Sequence, residues 1–230
     1  MGRATLSGNP PVEITLRRSA RARRVSLRVS AIDGRVTLSC PTSMKTAEAM
    51  AFAEEKSHWI RENLSRRPAD VRPEIGSTIA FEGRELPIMA GQFRSARIDG
   101  AALVVPDAPA MVAARVKAFL KLQARGRIQA AAARHAAALG RSHGKITLRD
   151  TRSRWGSCSH AGNLMFSWRL VMASPDVLDY VVAHEVAHLA EMNHSAAFWA
   201  HVARLCPGYA VPRRWLRRHG HGLHRYRFDD

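Results

Sequence analysis

The sequence predicts an α+β fold, with a strand-rich N-terminal region that includes one helix packed on a C-terminal helical core. Three observations carry this. Apolar residues alternate with polar ones over short stretches of the N-terminal half. Helical spacing takes over from Pro109 onward. The connections between these stretches are short, with no repeat and no low-complexity linker. The expected division is residues 1–106 for the strand-rich region and 107–230 for the helical core.

In chain order, Val25, Leu27 and Val29 alternate with polar residues, Asp33-Gly34 breaks the run, and Val36 and Leu38 resume it. Asp-Gly between alternating runs predicts a hairpin, because its tight turn needs positive φ. Arg17, Arg18, Arg21, Arg23, Arg24 and Arg28 read as a solvated face. Residues 43–64 read as one helix with Met50, Ala53, Ile60 and Leu64 on a stripe, and Pro68 and Pro73 mark a connector. Residues 75–105 return to strands turned at Glu82-Gly83 and Asp99-Gly100. A long Ala-rich helix then starts at Pro109, with Asp107 as its expected cap and Gly140 as its expected end.

Composition narrows the class. The chain has 230 residues, 46% hydrophobic and 24% charged, which suits a folded globular protein and excludes a disordered chain, a collagen and a coiled coil. No apolar run is long enough to span a bilayer, so no membrane partner is expected. The N-terminus lacks the apolar core of a secretory signal. Cys40, Cys158 and Cys206 are too few and scattered for a disulfide framework, which fits a cytoplasmic location. The formal charge of +17, almost all from Arg, bears first on solubility and second on an anionic partner such as a nucleotide or nucleic acid.

The chemistry concentrates in residues 174–198. Ser174-Pro175-Asp176 reads as a helix start, and Leu178, Val181, Val182 and Leu189 form a buried stripe. On this helix lie His184, Glu185 and His188. Residues four apart project from one face, so two imidazoles can reach one Zn²⁺ at about 2.0–2.1 Å. Glu185, one step around, can take a proton from a water activated there. The apolar neighbours Val181, Val182, Ala183, Val186 and Ala187 argue for burial, and buried imidazoles and a carboxylate are costly without a metal. For a third ligand, Glu191 sits about two turns from His184, whereas a turn at Asn193 could fold His194 back toward the metal. Ser195 would cap the next helix.

A second block, residues 149–170, holds Arg152, Arg154 and Trp155, then Gly156-Ser157-Cys158, then a strand near Asn163–Trp168. That strand is expected to border the cleft and align a peptide. If residues 152–154 are extended, Arg152 and Arg154 point to one side and form a substrate-binding pair for carboxylate or phosphate. Trp155 and Trp168 read as core. His219, His221 and His224 read as basic surface.

Arg152–Cys158, Asn163, Leu170, Asp179–Leu189, Asn193-His194-Ser195 and Phe198-Trp199 together resemble the YgjP-like zinc metallopeptidases, relatives of the SprT-like proteins. The resemblance implies a zincin-type domain with one Zn²⁺ per chain on His184, His188 and His194, and Glu185 as the catalytic carboxylate. The His188-to-His194 interval also equals that of metzincins, but Glu191 replaces their turn glycine, so a longer helix with its turn near Asn193 is expected. Peptide-bond hydrolysis is the favoured activity. Two alternatives stay open: a metal-dependent nucleoside-triphosphate pyrophosphohydrolase using Arg152 and Arg154, and a DNA-associated protease or nucleic-acid-binding protein recruited by its basic surface.

Overall fold

A computed structural model describes residues 2–228. The chain divides into two compact units, Met1–Ala69 and Asp70–Asp230.

The first unit is a four-stranded sheet with two helices. Its strands are β1 (Gly2–Leu6), β2 (Val12–Ser19), β3 (Ser26–Val29) and β4 (Val36–Pro41), in the order β1-β2-β4-β3. The hairpin expected at Asp33-Gly34 forms, with Val29 opposite Val36 and Gly34 at φ 69°. Alternation in β2 and β4 buries Ile14, Leu16, Val36 and Leu38 against Ala49, Ala53 and Ile60. The expected single helix is two: α1 (Thr46–Glu55) and α2 (Ser57–Ser65). Lys56 departs to φ −92°, ψ 11° between them, while its carbonyl still accepts from Ile60. No glycine or proline marks that break, and nothing in the structure explains it.

The second unit contains everything after the connector. Strands β5 (Thr78–Phe81), β6 (Arg84–Gly91), β7 (Arg97–Asp99) and β8 (Ala102–Pro106) pair in the order β5-β6-β8-β7. This repeats the order of the first sheet without visible repetition in the sequence. Ile79, Phe81, Leu86, Ile88, Leu103 and Val105 belong to the same core as the C-terminal helices, and the Phe81 and Phe119 rings lie 5.5 Å apart. The division therefore falls at Ala69, not at 106/107 as the sequence pattern suggests, because burial joins these strands to the helices that follow. The tip of the β5–β6 hairpin docks through the Glu82 and Gly83 amides, which donate to the Val171 and Met172 carbonyls at 2.8 and 3.2 Å.

Helix α3 (Val112–Leu139) runs across this core and ends at Gly140, which is left-handed at φ 69°. Gly126 does not interrupt it. Asp107 does not cap it either: a short 3-10 turn, Pro109–Met111, intervenes and no side chain takes the cap. A three-stranded sheet follows, from β9 (Ile146–Arg149), β10 (Gly156–Cys158) and β11 (Leu164–Ser167), with β11 central, parallel to β9 and antiparallel to β10. Beyond the 3-10 turn Trp168–Met172 come α4 (Pro175–Ala187), α5 (Ala196–Leu205) and α6 (Ala210–His219). His135 of α3 is buried and lies 2.8 Å from the Asp179 carboxylate of α4, which Arg134 also pairs. These contacts tie the long helix to the one that carries the histidines.

Arg169 is the buried cation of this unit. It meets both Asp150 oxygens, at 2.7 and 3.1 Å, and the carbonyls of Leu223 and Tyr226 at 2.9 and 3.1 Å. It thus fixes the start of the 150–156 loop to the C-terminal segment. Removing one partner of a buried ion pair costs about 3–5 kcal/mol. Asp150 itself is exposed and Arg169 keeps two carbonyl acceptors, so Asp150→Ala is expected to destabilise by less than that range, about 1.5–3 kcal/mol, the worth of hydrogen bonds to a charged group. Urea unfolding of the variant beside the parent protein measures this.

Candidate functional site

Helix α4 is buried on almost every side, with Val177, Leu178, Val181, Val182 and Val186 all under 7% exposed. Pro175 stands in its first turn and Asp176 follows. Ser174 precedes it but its hydroxyl makes no capping bond. The helix ends at Ala187, and His188 closes it at φ −65°, ψ −16°. This corrects the longer helix expected from the sequence. The amides of Leu189, Ala190 and Glu191 fold back onto the Val186 and Ala187 carbonyls at 2.9–3.1 Å, so the chain turns directly after His188. Glu191 faces the site through its backbone: its carbonyl accepts from His188 Nδ1 at 2.9 Å.

Two local bonds then bring His194 round. Asn193 Oδ1 accepts from the Ser195 amide at 2.9 Å, and Ser195 Oγ accepts from Phe198 N at 3.3 Å, the helix cap read from the sequence. His194 Nε2 ends 3.1 Å from His184 Nε2. Donor atoms of His184, His188 and His194 all lie within 4.8 Å of one another. Aromatic rings hold them. His188 stacks on Phe198 at 4.4 Å, and the exposed His194 lies face to face with Trp199 at 6.0 Å. Trp199 in turn stacks on Tyr209 at 5.4 Å.

The donor set fits a divalent transition metal. Burial first, then the neighbouring imidazoles and Arg213, push the His184 pKa down to about 4. Burial also lowers His188, against the raising effect of its bond to the Glu191 carbonyl. Both rings are therefore neutral at pH 7, as metal ligation requires. With Nδ1 of His188 bound to a carbonyl, its Nε2 is the nitrogen left for an ion.

Glu185 is 7% exposed, and burial pushes its pKa up to about 7 while the Arg154 charge pulls it down. Gly156 of β10 lies directly against it: a Cβ built at Gly156 would stand 2.5 Å from Glu185 Cγ and 2.6 Å from Oε1. The cavity here, of about 210 Å³, is lined by Arg154, Gly156, Tyr180, His184, Glu185 and Leu216, among others. Tyr180 has its pKa raised to about 12, chiefly by burial, so its hydroxyl stays a donor. Cys158 is raised by burial and by the Glu185 charge, which disfavours a thiolate.

The structure divides the arginine pair. Thr151 Oγ1 donates to the Arg154 carbonyl at 2.8 Å and closes a turn, so residues 151–154 are not extended. Arg154 lines the cavity, while the Arg152 charge is felt by His224. His224 is not surface, as the sequence suggested, but 3% exposed and packed on Trp155 at 5.1 Å. Strand β11, expected to receive a peptide, has both edges filled by β9 and β10. Of the two edge strands, β9 and β10, it is β10 that packs on α4. Trp155 O and Ser159 N bond to β11, so by alternation the Gly156 and Cys158 backbone groups face outward. Gly156 could have been noticed from sequence, since glycine in a strand marks close approach. Arg213 and Leu216, far along the chain, carried no such signal.

A histidine triad able to hold one metal beside a buried carboxylate is the donor set of a metallohydrolase. The chain belongs to the YgjP-like family: the YgjP-like metallopeptidase domain matches residues 23–219. It is therefore a metallopeptidase-family protein. No curated protein matches it. Among solved structures, the metallopeptidase zymogen of Pyrococcus abyssi abylysin is similar at 20% identity with a TM-score of 0.36, over 40% of this chain and 93% of that one. That likeness is too distant to inform the site. Among the described residues, no helix is long and apolar enough to cross a membrane.

Proposed function

We propose that this chain is a zinc-dependent peptidase, with His184, His188 and His194 holding the ion and Glu185 as general base and acid. The observation that carries the reading is the convergence of three imidazole donors within 4.8 Å, with the buried carboxylate of Glu185 next along the helix and set against Gly156 of β10. Zinc, when bound, supplies a Lewis acid and lowers the pKa of water to about 7.

The chain's own residues do the rest. The Glu191 carbonyl fixes the tautomer of His188. Trp199 and Phe198 orient His194. Glu185 takes a proton from the attacking water onto a carboxylate oxygen and returns it to the leaving amine. In the metal-free chain, burial pushes its pKa up to about 7, so the carboxyl can hold a proton. An extended peptide pairs with the outward N–H and C=O groups of Gly156 and Cys158 by strand addition. Of the two arginines only Arg154 lines the cavity, which supports the peptide reading over a paired phosphate clamp. Its three cysteines, all unpaired, suit a reducing compartment such as the cytoplasm.

Elemental analysis of purified protein is expected to find about one zinc per chain, in keeping with three protein ligands and one open position. Absence of any stoichiometric transition metal after reconstitution would defeat the reading. In a chelator competition, His194→Ala is expected to weaken metal binding far more than Glu191→Ala, because the contact from residue 191 is made by its backbone. A screen of peptides and nucleoside triphosphates on the reconstituted protein then tests the activity itself.

A further inference from the structure

Helix α6 carries Arg213, Arg214, Arg217 and Arg218 and no acidic residue. All four arginines are exposed. Among the described residues none of them forms an ion pair with an Asp or Glu. They surround Ala210 along a groove of about 490 Å³. At about 100° per residue these positions span an arc of roughly 140° on one side of the helix. Adjacent to that arc is Leu216, which lines the catalytic cavity.

Arg213 joins the two. Its guanidinium lies 4.3 Å over the ring of Trp199, the ring that stacks on His194. Its charge is felt by both Tyr180 and His184. Whatever lies along the arginines therefore runs into the cleft. Like charges at i and i+4 repel one another, a repulsion that the helix dipole offsets at Arg217 and Arg218 in the last turn but not at Arg213 and Arg214. An anionic occupant would relieve it.

We propose that the α6 arginines are a docking rail for acidic residues, so that the polypeptides cleaved at this site carry Asp or Glu at alternate positions beside the scissile bond. The proposal rests on the peptidase reading above and names its substrate class. Arg213 with Arg217, and Arg214 with Arg218, stand one helical turn apart, about 5–6 Å at Cβ. Alternate side chains of an extended strand stand about 6.6–6.8 Å apart, so a strand laid on the rail presents one carboxylate per arginine row. The planar guanidinium fork matches carboxylate oxygens. A polypeptide, unlike a sugar-phosphate strand, also matches the main-chain groups along the open edge of β10.

The test uses the zinc-loaded full chain, quenched peptides of equal length with Glu, Gln or Lys at alternate flanking positions, and the variant Arg214→Gln/Arg218→Gln. These two side chains are exposed and outside the catalytic cavity. The acidic peptide is expected to be cleaved with a kcat/KM about tenfold above the Gln peptide at low salt, the advantage shrinking as salt screens the charges. The double variant is expected to lose that advantage through KM while cleaving the Gln peptide as before. Equal cleavage of the Glu and Gln peptides, or an advantage that survives in the double variant, would overturn the rail. Fluorescence anisotropy with the same peptides on Glu185→Gln protein separates the two levels of inference. Tight, variant-sensitive binding of the Glu peptide without cleavage of any peptide by the parent protein supports the rail and removes the peptidase. Equal binding of all three peptides, or displacement of the Glu peptide by a single-stranded oligonucleotide that binds more tightly, overturns the rail.

Discussion

Glu185→Gln is expected to keep its metal and lose peptide hydrolysis by about 10²–10⁴-fold, the usual loss when a positioned acid–base group is removed. The substitution retains the size of the side chain that faces Gly156, so β10 and α4 need not move. None of the three imidazoles is altered. Zinc content by elemental analysis and turnover on a peptide substrate are the paired readouts, and unchanged turnover would show that Glu185 is not the base. A second consequence appears in stability. Glu185 has a folded pKa of about 7 against an ordinary value of 4.5, because burial disfavours its charge. Between those values the folded chain holds a proton that the unfolded chain has released, so the carboxylate costs the fold stability as pH rises, fully above about pH 7. In metal-stripped protein, the melting temperature of Glu185→Gln relative to the parent is therefore expected to rise with pH across this window and to level off above it. A difference that stayed flat with pH would mean the burial of Glu185 is not felt by the fold.

The parts of this site readable from sequence are those built by local chain geometry. His184 and His188 share a face because both lie on one helical stretch, and the Val and Ala residues around them announce burial. Asn193 and Ser195 announce a turn and a cap within a few residues, which is enough to bring His194 back. The hairpins at Asp33-Gly34, Glu82-Gly83 and Asp99-Gly100 are local in the same sense, each needing positive φ at its glycine. Tertiary context decided what the pattern could not. Helix α4 stops at His188 because the Leu189 and Ala190 amides bond three rather than four residues back, to the Val186 and Ala187 carbonyls, which no glycine or proline signals. β10 is too short to show alternation, so the longer run at 163–168 reads as the cleft strand, whereas pairing places β11 in the middle of a sheet. Arg152 and Arg154 separate because Thr151 closes a turn around them. The boundary at Ala69 follows from which core Ile79 and Phe81 enter, a choice made by contacts with α3, far along the chain.

Gly156→Ala is expected to abolish most activity while leaving the metal in place. Alanine is better suited than glycine to a strand, and Gly156 is not among the glycines at positive φ, so the backbone itself accepts the change. The cost is steric, and its three closest contacts fall on one neighbour. The added Cβ would stand 2.5 Å from Cγ, 2.6 Å from Oε1 and 2.8 Å from Cδ of Glu185. Helix α4 cannot retreat, since Val182, Ala183, Val186 and Ala187 are fully buried on its other sides. Relief must come from β10 lifting or from the carboxylate swinging away. Overpacking of this kind costs about 1–3 kcal/mol of stability. A displacement of about 1 Å at a reacting group costs about 10²-fold in rate, and here the displaced group is the proposed base, so a loss of at least about 10²-fold in kcat is expected. The three nearest atoms to the added Cβ all belong to Glu185 and none to an imidazole, so zinc content is expected to match the parent protein. Gly126→Ala is the matched control. It lies within α3 with open space around the added methyl, and is expected to stabilise the chain by about 0.5–1 kcal/mol without altering turnover. A Gly156→Ala protein that binds zinc and cleaves peptides at the parental rate would show that the position of Glu185 against β10 is not the one used in catalysis.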